Sequence, residues 1–401
     1  MRILHVSSVY PPDVTGGAEI VVEMLAEAQA RRGHQVGAAY LARAAEPARS
    51  RHGVTILPQA TRNLLWIDDV FRQPRLLRTA NKIGQLVNYR AASDFSRAIA
   101  AFRPDIVHTH SMVELPPMVW DRIADSGAKS VHTLHDYDLL CSRASLFRDG
   151  KNCEGLHASC RVTAQWKARF ARRIDAVAAV SRPVLDTHHR FGLFHGLTSE
   201  RARVIWNAVP AAGTGPRERL TNHGPFVFGF LGRLVPEKGI DTLISACRAL
   251  PPDGWRLKVA GRAQEGDSAY REKAAGLPID FLGFTEPQAF LRSIDVLVVP
   301  PIWREPFGLT VIEAFAQGVP VIGSRIGAIA DLVATIDDDW LVPAGDPEML
   351  AARMKRALTQ GREALPQASA FSPVLTAVSV ERMLDGYDAL YGSVLAREEA
   401  A

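Results

Sequence analysis

The chain has 401 residues, of which 47% are hydrophobic and 22% charged. That size and balance favour two or three domains with substantial cores. No run approaches the ~18–20 uninterrupted apolar residues of a membrane span, and the N-terminus turns to Ser and Pro too soon for a secretory signal. Four cysteines in a chain of this length are no secreted disulfide framework, so a reducing cytoplasm is the expected setting. The charge is unevenly spread: residues 1–208 carry 28 Lys+Arg against 19 Asp+Glu, and the remainder 19 against 24. A basic first half implies an anionic partner. Nucleic acid is not expected, because no DNA-reading basic helix, RNP-type aromatic motif or zinc-finger spacing is present. A membrane surface or an anionic lipid-linked molecule fits better. Arg161–Arg173 is a basic stretch with Trp166 and Phe170 four residues apart, which reads either as an interfacial helix or as a surface helix with its aromatics in the core.

In chain order, apolar strand-like runs begin at ILHVSSV and continue through HQVGAAYL, GVTILP, DIVHTH, KSVHTL, DAVAAVS and RVIWNAV. Helical spacing predicts helices over Ala18–Arg32, Ile83–Ala101 and Arg182–Phe191. The second half repeats the alternation, with FVFGFLG, RLKVAG, IDFLG, DVLVVP and PVIGS as strands. GIDTLISACRAL, YREKAAG, QAFLRSI, LTVIEAFAQG and PEMLAARMKRAL are the helices between and after them. Repeated strand–helix units mean parallel sheets covered on both faces, twice over. The break is expected at the linker-like stretch Pro210–Pro225, and a long final helix is expected to cross back to the first domain. Ligands of such sheets bind outside the carboxyl ends of the strands, so two facing domains would form a cleft between two such edges.

Four strand-end segments carry candidate chemistry. In EPFGLTVIE, Gly308 precedes a helix whose first-turn amides and dipole favour an anion, while Glu305 and Glu313 suit hydroxyl pairs on either side of it. In FLGRLVPEKG, Arg233 and Lys238 can clamp a diphosphate and replace a metal as the stabiliser of a leaving group. In PPDVTGGAE, Gly16 and Gly17 lead directly into a helix, although neither GxGxxG nor GxxxxGK[ST] is present. In DIVHTH, His108 and His110 share one face by period two, with His110 at the strand end, and His135 and Asp136 end the next strand. Each has an ordinary structural alternative: a solvated loop, a glycine turn or a packed histidine. Cys141, Cys153 and Cys160, with His135 and His157 nearby, suggest zinc, but no CxxC pair is present and no metal is expected.

Taken together, PPDVTGGAE, HTH, IWNAV, FLGRLVPEKG, VAG at Val259–Gly261 and EPFGLTVIEAFAQGVPVIGS resemble the retaining glycosyltransferases of family 4, across nearly the whole chain. Ala208 stands where that family usually has glycine. The resemblance implies a GT-B α/β fold of two Rossmann-like, doubly wound parallel-sheet domains facing across a cleft. Residues 1–208 would bind the acceptor, joined by a crossover helix over 374–396, and residues 209–373 the donor. It implies that Arg233 and Lys238 hold the donor diphosphate, that Glu305 holds the transferred sugar with the Phe307 and Gly308 amides, and that Glu313 takes the ribose hydroxyls. Gly261, Phe284 and Leu309 fall on the nucleotide side, His110 near the transferred sugar, and Gly16 and Gly17 beneath the donor. The implied donor is a UDP- or GDP-sugar with no further cofactor, and the acceptor a glycan or lipid-linked saccharide in bacterial polysaccharide or glycoconjugate synthesis. A nucleotide-sugar epimerase or hydrolase of the same fold, and a non-catalytic nucleotide-sugar-binding scaffold subunit, are the alternatives.

Overall fold

The computed structural model describes residues 1–13, 16–44, 46–209, 224–263 and 266–396, so the expected linker lies outside the described residues up to position 223. The chain forms two compact units. Met1–Ser145, Gly155–Ala208 and the residues from Val380 onward make the first, and Leu146–Glu154 with Val209–Ser379 the second.

The first unit contains β1 (Arg2–Ser7), α1 (Gly17–Arg31), β2 (Gln35–Ala42), β3 (Arg49–Arg51), β4 (Val54–Ala60), α2 (Arg75–Leu86), α3 (Tyr89–Phe102), β5 (Ile106–Thr109), α4 (Val119–Ser126) and β6 (Lys129–Leu134). The chain then passes through a short antiparallel hairpin, β7 (Phe147–Arg148) and β8 (Lys151–Asn152), whose contacts are with the second unit. It returns with α5 (Ala158–Ala171), β9 (Ala176–Ala179), α6 (Arg182–Arg190) and β10 (Ala202–Val204). The sheet runs β10-β9-β6-β5-β1-β2-β4-β3 and is parallel except for β3. Its central strands are buried on both faces, as their continuous apolar runs require.

A single helix expected over Ile83–Ala101 is two helices. Asn88 accepts the Ala91 amide at 3.1 Å and so caps α3, while α2 begins eight residues earlier than the sequence pattern suggested. Short-range capping chemistry outweighs continuous helical spacing here.

The second unit contains β11 (Phe226–Leu231), α7 (Ile240–Cys247), β12 (Trp255–Ala260), α8 (Ser268–Lys273), β13 (Ile279–Gly283), α9 (Pro287–Arg292), β14 (Val296–Val299), α10 (Leu309–Ala316), β15 (Val321–Ser324), α11 (Gly327–Ala334), β16 (Leu341–Val342), α12 (Pro347–Gln360) and α13 (Ser372–Ala377). Its sheet is parallel throughout, in the order β13-β12-β11-β14-β15-β16. The Asp295 carboxylate before β14 is held by both arms of Arg362, at 2.9 Å each, and accepts the Val227 amide. The final helix, α14 (Val380–Leu395), belongs to the first unit and packs on α1, β6 and β9 through Met383, Tyr387, Leu390 and Tyr391.

Both sheets have a topological switch point. It lies between β1 and β5 in the first unit and between β11 and β14 in the second, where chain direction around the sheet reverses and the strand-end loops part.

Candidate active site

At the second unit's switch point, the loop after β11 and the loop after β14 are joined by the Ile302 amide donating to the Glu237 carbonyl at 2.9 Å. This contact brings Lys238 to Glu305: Lys238 Nζ donates to Glu305 Oε2 at 2.7 Å. The same oxygen accepts from Trp303 Nε1 at 2.9 Å, and the Glu305 carbonyl accepts the Ala328 amide at the start of α11. One carboxylate oxygen is therefore fixed by a cation and an indole, while Oε1 has no partner among the described residues and is available to a ligand hydroxyl. The pair lines a shallow depression together with Gly308 and Thr310, where the N-terminus of α10 opens.

Gly308 sits at φ +100°, in the left-handed region, and a Cβ there would lie 2.4 Å from Ile329 Cδ1. It lets the chain turn sharply from the buried Phe307 into half-buried Leu309, the first residue of α10. Glu313 lies one turn further on, half-buried, with no carboxylate partner among the described residues. Burial, reinforced by Glu286, raises its carboxyl above the usual range.

Arg233 is exposed in the loop after β11; its carbonyl accepts the Val235 amide at 3.1 Å, and its guanidinium makes no ion pair or hydrogen bond among the described residues. The neighbouring loop is fastened to this one by backbone alone. Gly261, at φ +144°, lies so close that a Cβ would stand 1.8 Å from the Gly232 carbonyl oxygen, and its amide donates to the Gly283 carbonyl at 2.7 Å. Phe284 follows, 70% exposed, with the Arg262 guanidinium 4.8 Å from its ring centre. A flat, accessible ring backed by a cation is suited to stacking against a planar base.

In the first unit, the histidines of β1, β5 and β6 form part of one buried chain of hydrogen bonds. His135 Nε2 meets His110 Nδ1 at 3.1 Å, His110 Nε2 meets His5 Nδ1 at 2.9 Å, and His5 Nε2 meets Gln29 Oε1 at 2.7 Å. Gln29 Nε2 donates to the Tyr391 hydroxyl at 3.1 Å, which meets His108 Nδ1 at 2.7 Å. His108 Nε2 then reaches Thr133 Oγ1 at 2.7 Å, and Thr133 reaches the Tyr387 hydroxyl at 2.9 Å. Because Gln29 Oε1 can only accept, His5 carries its proton on Nε2, which makes His5 Nδ1 the acceptor for His110 and His110 Nδ1 the acceptor for His135. Every donor from His135 to Gln29 then points the same way. Burial lowers all four imidazoles, His5 to about 4, His135 to about 3, and His108 and His110 well below their ordinary value, so all are neutral at pH 7.

His108 and His110 do share a face, with ring centres 4.0 Å apart. His110 is nonetheless not at the open edge: it is buried and both its nitrogens are occupied by other histidines. Direct contact between His110 and a sugar is therefore not what this geometry offers. Half-buried His135, at the end of β6, is the member whose Nδ1 has no partner among the described residues. His5, Gln29 and Tyr391 were not anticipated; the period-two pattern of one strand carries no information about a partner on the next strand or on a helix 362 residues beyond Gln29.

Past His135, burial and the adjacent Asp138 raise the Asp136 carboxyl. Burial is the largest influence on Asp138 and opposes its ionisation, but Lys167, 3.3 Å away, together with His132 and Lys82 holds the carboxyl below its usual range. Near the N-terminus, exposed Gly16 precedes Gly17, the first residue of α1, and its amide donates to Glu19 Oε2 at 2.9 Å. Among the described residues, His5, His108 and His110 are the metal-capable side chains whose ligand atoms converge, and the cysteines form no such group. All ring nitrogens of that trio already have partners. The aromatics of α5 turn inward: Phe170 is buried, and Trp166 packs edge-on against it while donating to the Leu86 carbonyl at 2.9 Å. No helix among the described residues is long and apolar enough to cross a membrane.

Comparison with known proteins agrees with this arrangement. Residues 15–212 match the profile described as Glycosyltransferase Family 4, and residues 215–370 the one described as Glycosyl transferases group 1. The chain is 28% identical to the lipopolysaccharide core biosynthesis mannosyltransferase LpsB of Rhizobium meliloti, over 81% of this chain and 96% of that protein. It is also 28% identical to a glycogen synthase of Mycobacterium tuberculosis, over 94% and 90% respectively. Among solved structures, the sucrose-phosphate synthase of Thermosynechococcus elongatus superposes with a TM-score of 0.77 at 19% identity, covering 99% of this chain and 100% of that one. Anabaena HepE in complex with UDP gives 0.71 at 18% identity, covering 98% and 100%. The fold is GT-B. The chain belongs to the group 1 glycosyltransferases.

Proposed function

We propose that the protein is a retaining glycosyltransferase that moves a sugar from a nucleotide-diphosphate donor to a glycan or lipid-linked saccharide in bacterial polysaccharide or glycoconjugate synthesis. The observation that carries this reading is the Lys238–Glu305 pair at the N-terminus of α10, a cation and an oriented hydroxyl acceptor beside a helix end that favours phosphate. Arg233 and Lys238 would neutralise the diphosphate, Glu305 Oε1 would take a sugar hydroxyl, and Glu313 the ribose hydroxyls. Phe284 would stack on the base, with Gly261 keeping its loop in place. UDP is the first nucleotide to test, since HepE, a GT-B protein of the same fold, was solved with it.

In the proposed reaction the bond from the sugar's anomeric carbon to the β-phosphate oxygen breaks, and a bond to the acceptor oxygen forms on the same face. The departing phosphate oxygen takes the acceptor proton. No side chain is then needed as general base, and rate enhancement comes from placement and from stabilising the charge on the diphosphate. The neutral His135, with an accepting Nδ1 fixed by the chain behind it, would orient a substrate hydroxyl.

The test is donor turnover with and without acceptor, with product linkage determined by NMR. Transfer with retained anomeric configuration supports the reading. Donor consumption at the full rate without acceptor would replace it with a hydrolase or epimerase, and binding without any turnover with a scaffold.

A further inference from the structure

Helix α2 is built inside out. Its polar side chains face the protein: Asn81 and Gln85 are buried, Asn81 Oδ1 accepts the Leu65 amide at 2.9 Å, Lys82 Nζ donates to the Val113 carbonyl at 3.0 Å, and Gln85 binds the Glu114 carboxylate. Leu76 and Ile83 face outward, while Leu77 and Leu86 are half-buried. Leu76 is 83% exposed and Ile83 59%, and a step of seven residues places both on one stripe of the helix, with Val87, 45% exposed, just past its C-terminal end. Tyr89, 61% exposed, extends the stripe at the start of α3. A water-facing helix ordinarily has the reverse arrangement, since apolar surface left in water forgoes the main driving force of folding.

The stripe is set in positive charge. Between Arg72 and Arg90 the sequence has five Lys and Arg and no Asp or Glu, and Arg72, Arg75 and Arg90 are exposed. Apolar side chains and a tyrosine bordered by arginines match the boundary between acyl chains and anionic headgroups. A second copy of this chain matches less well, because a two-fold contact through the stripe would set one arginine rim against another.

We infer that α2 is the element by which the protein seats on the surface of an anionic lipid bilayer, its apolar stripe entering the interface and its arginines reaching the headgroups. The inward-turned aromatics of α5 then act as support, with Trp166 gripping the Leu86 carbonyl at the C-terminal end of α2. The inference goes beyond the transfer reaction and is read without donor or acceptor, so its failure leaves the proposed activity untouched.

The experiment is co-sedimentation of the full chain with phosphatidylcholine–phosphatidylglycerol vesicles and with phosphatidylcholine vesicles alone. Binding to the mixed vesicles is expected, with loss at high salt and weakening by roughly tenfold or more in a Leu76→Glu/Ile83→Glu variant. Should that variant unfold by circular dichroism, a fluorophore on Leu76→Cys supplies a second reading, since the position is almost fully exposed; its emission should shift to the blue with mixed vesicles. Absent binding, an unmoved emission, or equal binding by a folded double variant overturns the inference. So does a wild-type dimer by light scattering that the double variant converts to monomer, which would assign the stripe to a second copy.

Discussion

Lys238 Nζ lies 2.7 Å from Glu305 Oε2 although 67 residues separate them, and both side chains are largely withdrawn from solvent. On the proposed reading the ion pair places a cation where diphosphate charge would develop; it leaves Glu305 Oε1 without a partner among the described residues. Lys238→Ala should lower turnover by about two to three orders of magnitude, as expected for loss of a preorganised charge at a leaving group, with donor Kd changed less. Steady-state kinetics with a donor-binding titration on the same preparation checks this; turnover within about twofold of wild type would falsify the role.

Glu313 stands apart from that pair, half-buried and without a carboxylate partner among the described residues. If it receives the ribose hydroxyls, Glu313→Ala should weaken nucleotide-diphosphate binding by roughly 10–100-fold, the size of one hydrogen bond to a charged group. Calorimetry with UDP and GDP reads this directly. The preferred nucleotide should also raise the wild-type Tm the most, because it stabilises only the native state.

Gly261 permits the backbone contact that fastens the loops after β11 and β12. A methyl group there cannot be accommodated 1.8 Å from a carbonyl oxygen, so Gly261→Ala should destabilise the second unit by about 3 kcal/mol. The thermal transition assigned to that unit should move down by several degrees. An unchanged transition would show that the loops part without cost.

The first unit should be acid-labile. His5, His132 and His188 are held at about 4 and His135 at about 3, with His108 and His110 also well below the ordinary 6.5. Between those values and 6.5 the unfolded chain binds more protons than the folded one. Stability due to these groups is therefore full above pH 6.5 and lost as pH falls towards 4, by on the order of 1.4 kcal/mol per pH unit for each histidine. Circular dichroism melts at successive pH values should show Tm dropping steeply below pH 6; a flat profile would mean that the histidines become solvated without unfolding.

Much of the second unit was legible because its chemistry is local. EPFGLTVIE already contains the turn, the helix start and both carboxylates, and FLGRLVPEKG places Lys238 on a strand-end loop. The first unit was less so. That His108 and His110 share a face follows from pleating, but that His110 is sealed off and His135 left open depends on His5 and Tyr391, which are remote in sequence. Periodicity also marks where the apolar side of α2 lies without saying which side meets water. Only the polar anchors Asn81, Lys82 and Gln85, seen against their partners, show that the helix is reversed. The α11 helix had no expected counterpart, since its short apolar run GAIADLVA lacks the length that distinguishes helix from strand.

The hydrogen-bonded chain through His135, His110, His5, Gln29 and His108 closes on two tyrosines of α14. During synthesis, strands β1, β5 and β6 emerge early, yet the acceptor for the Gln29 amide and the hydrogen-bond partner of His108 Nδ1 arrive with Tyr391. The first unit therefore cannot complete its polar interior until the chain has been made through Tyr391. Its maturation waits on residues that follow the second unit, and a ribosome stalled within that unit would hold the first one unfinished.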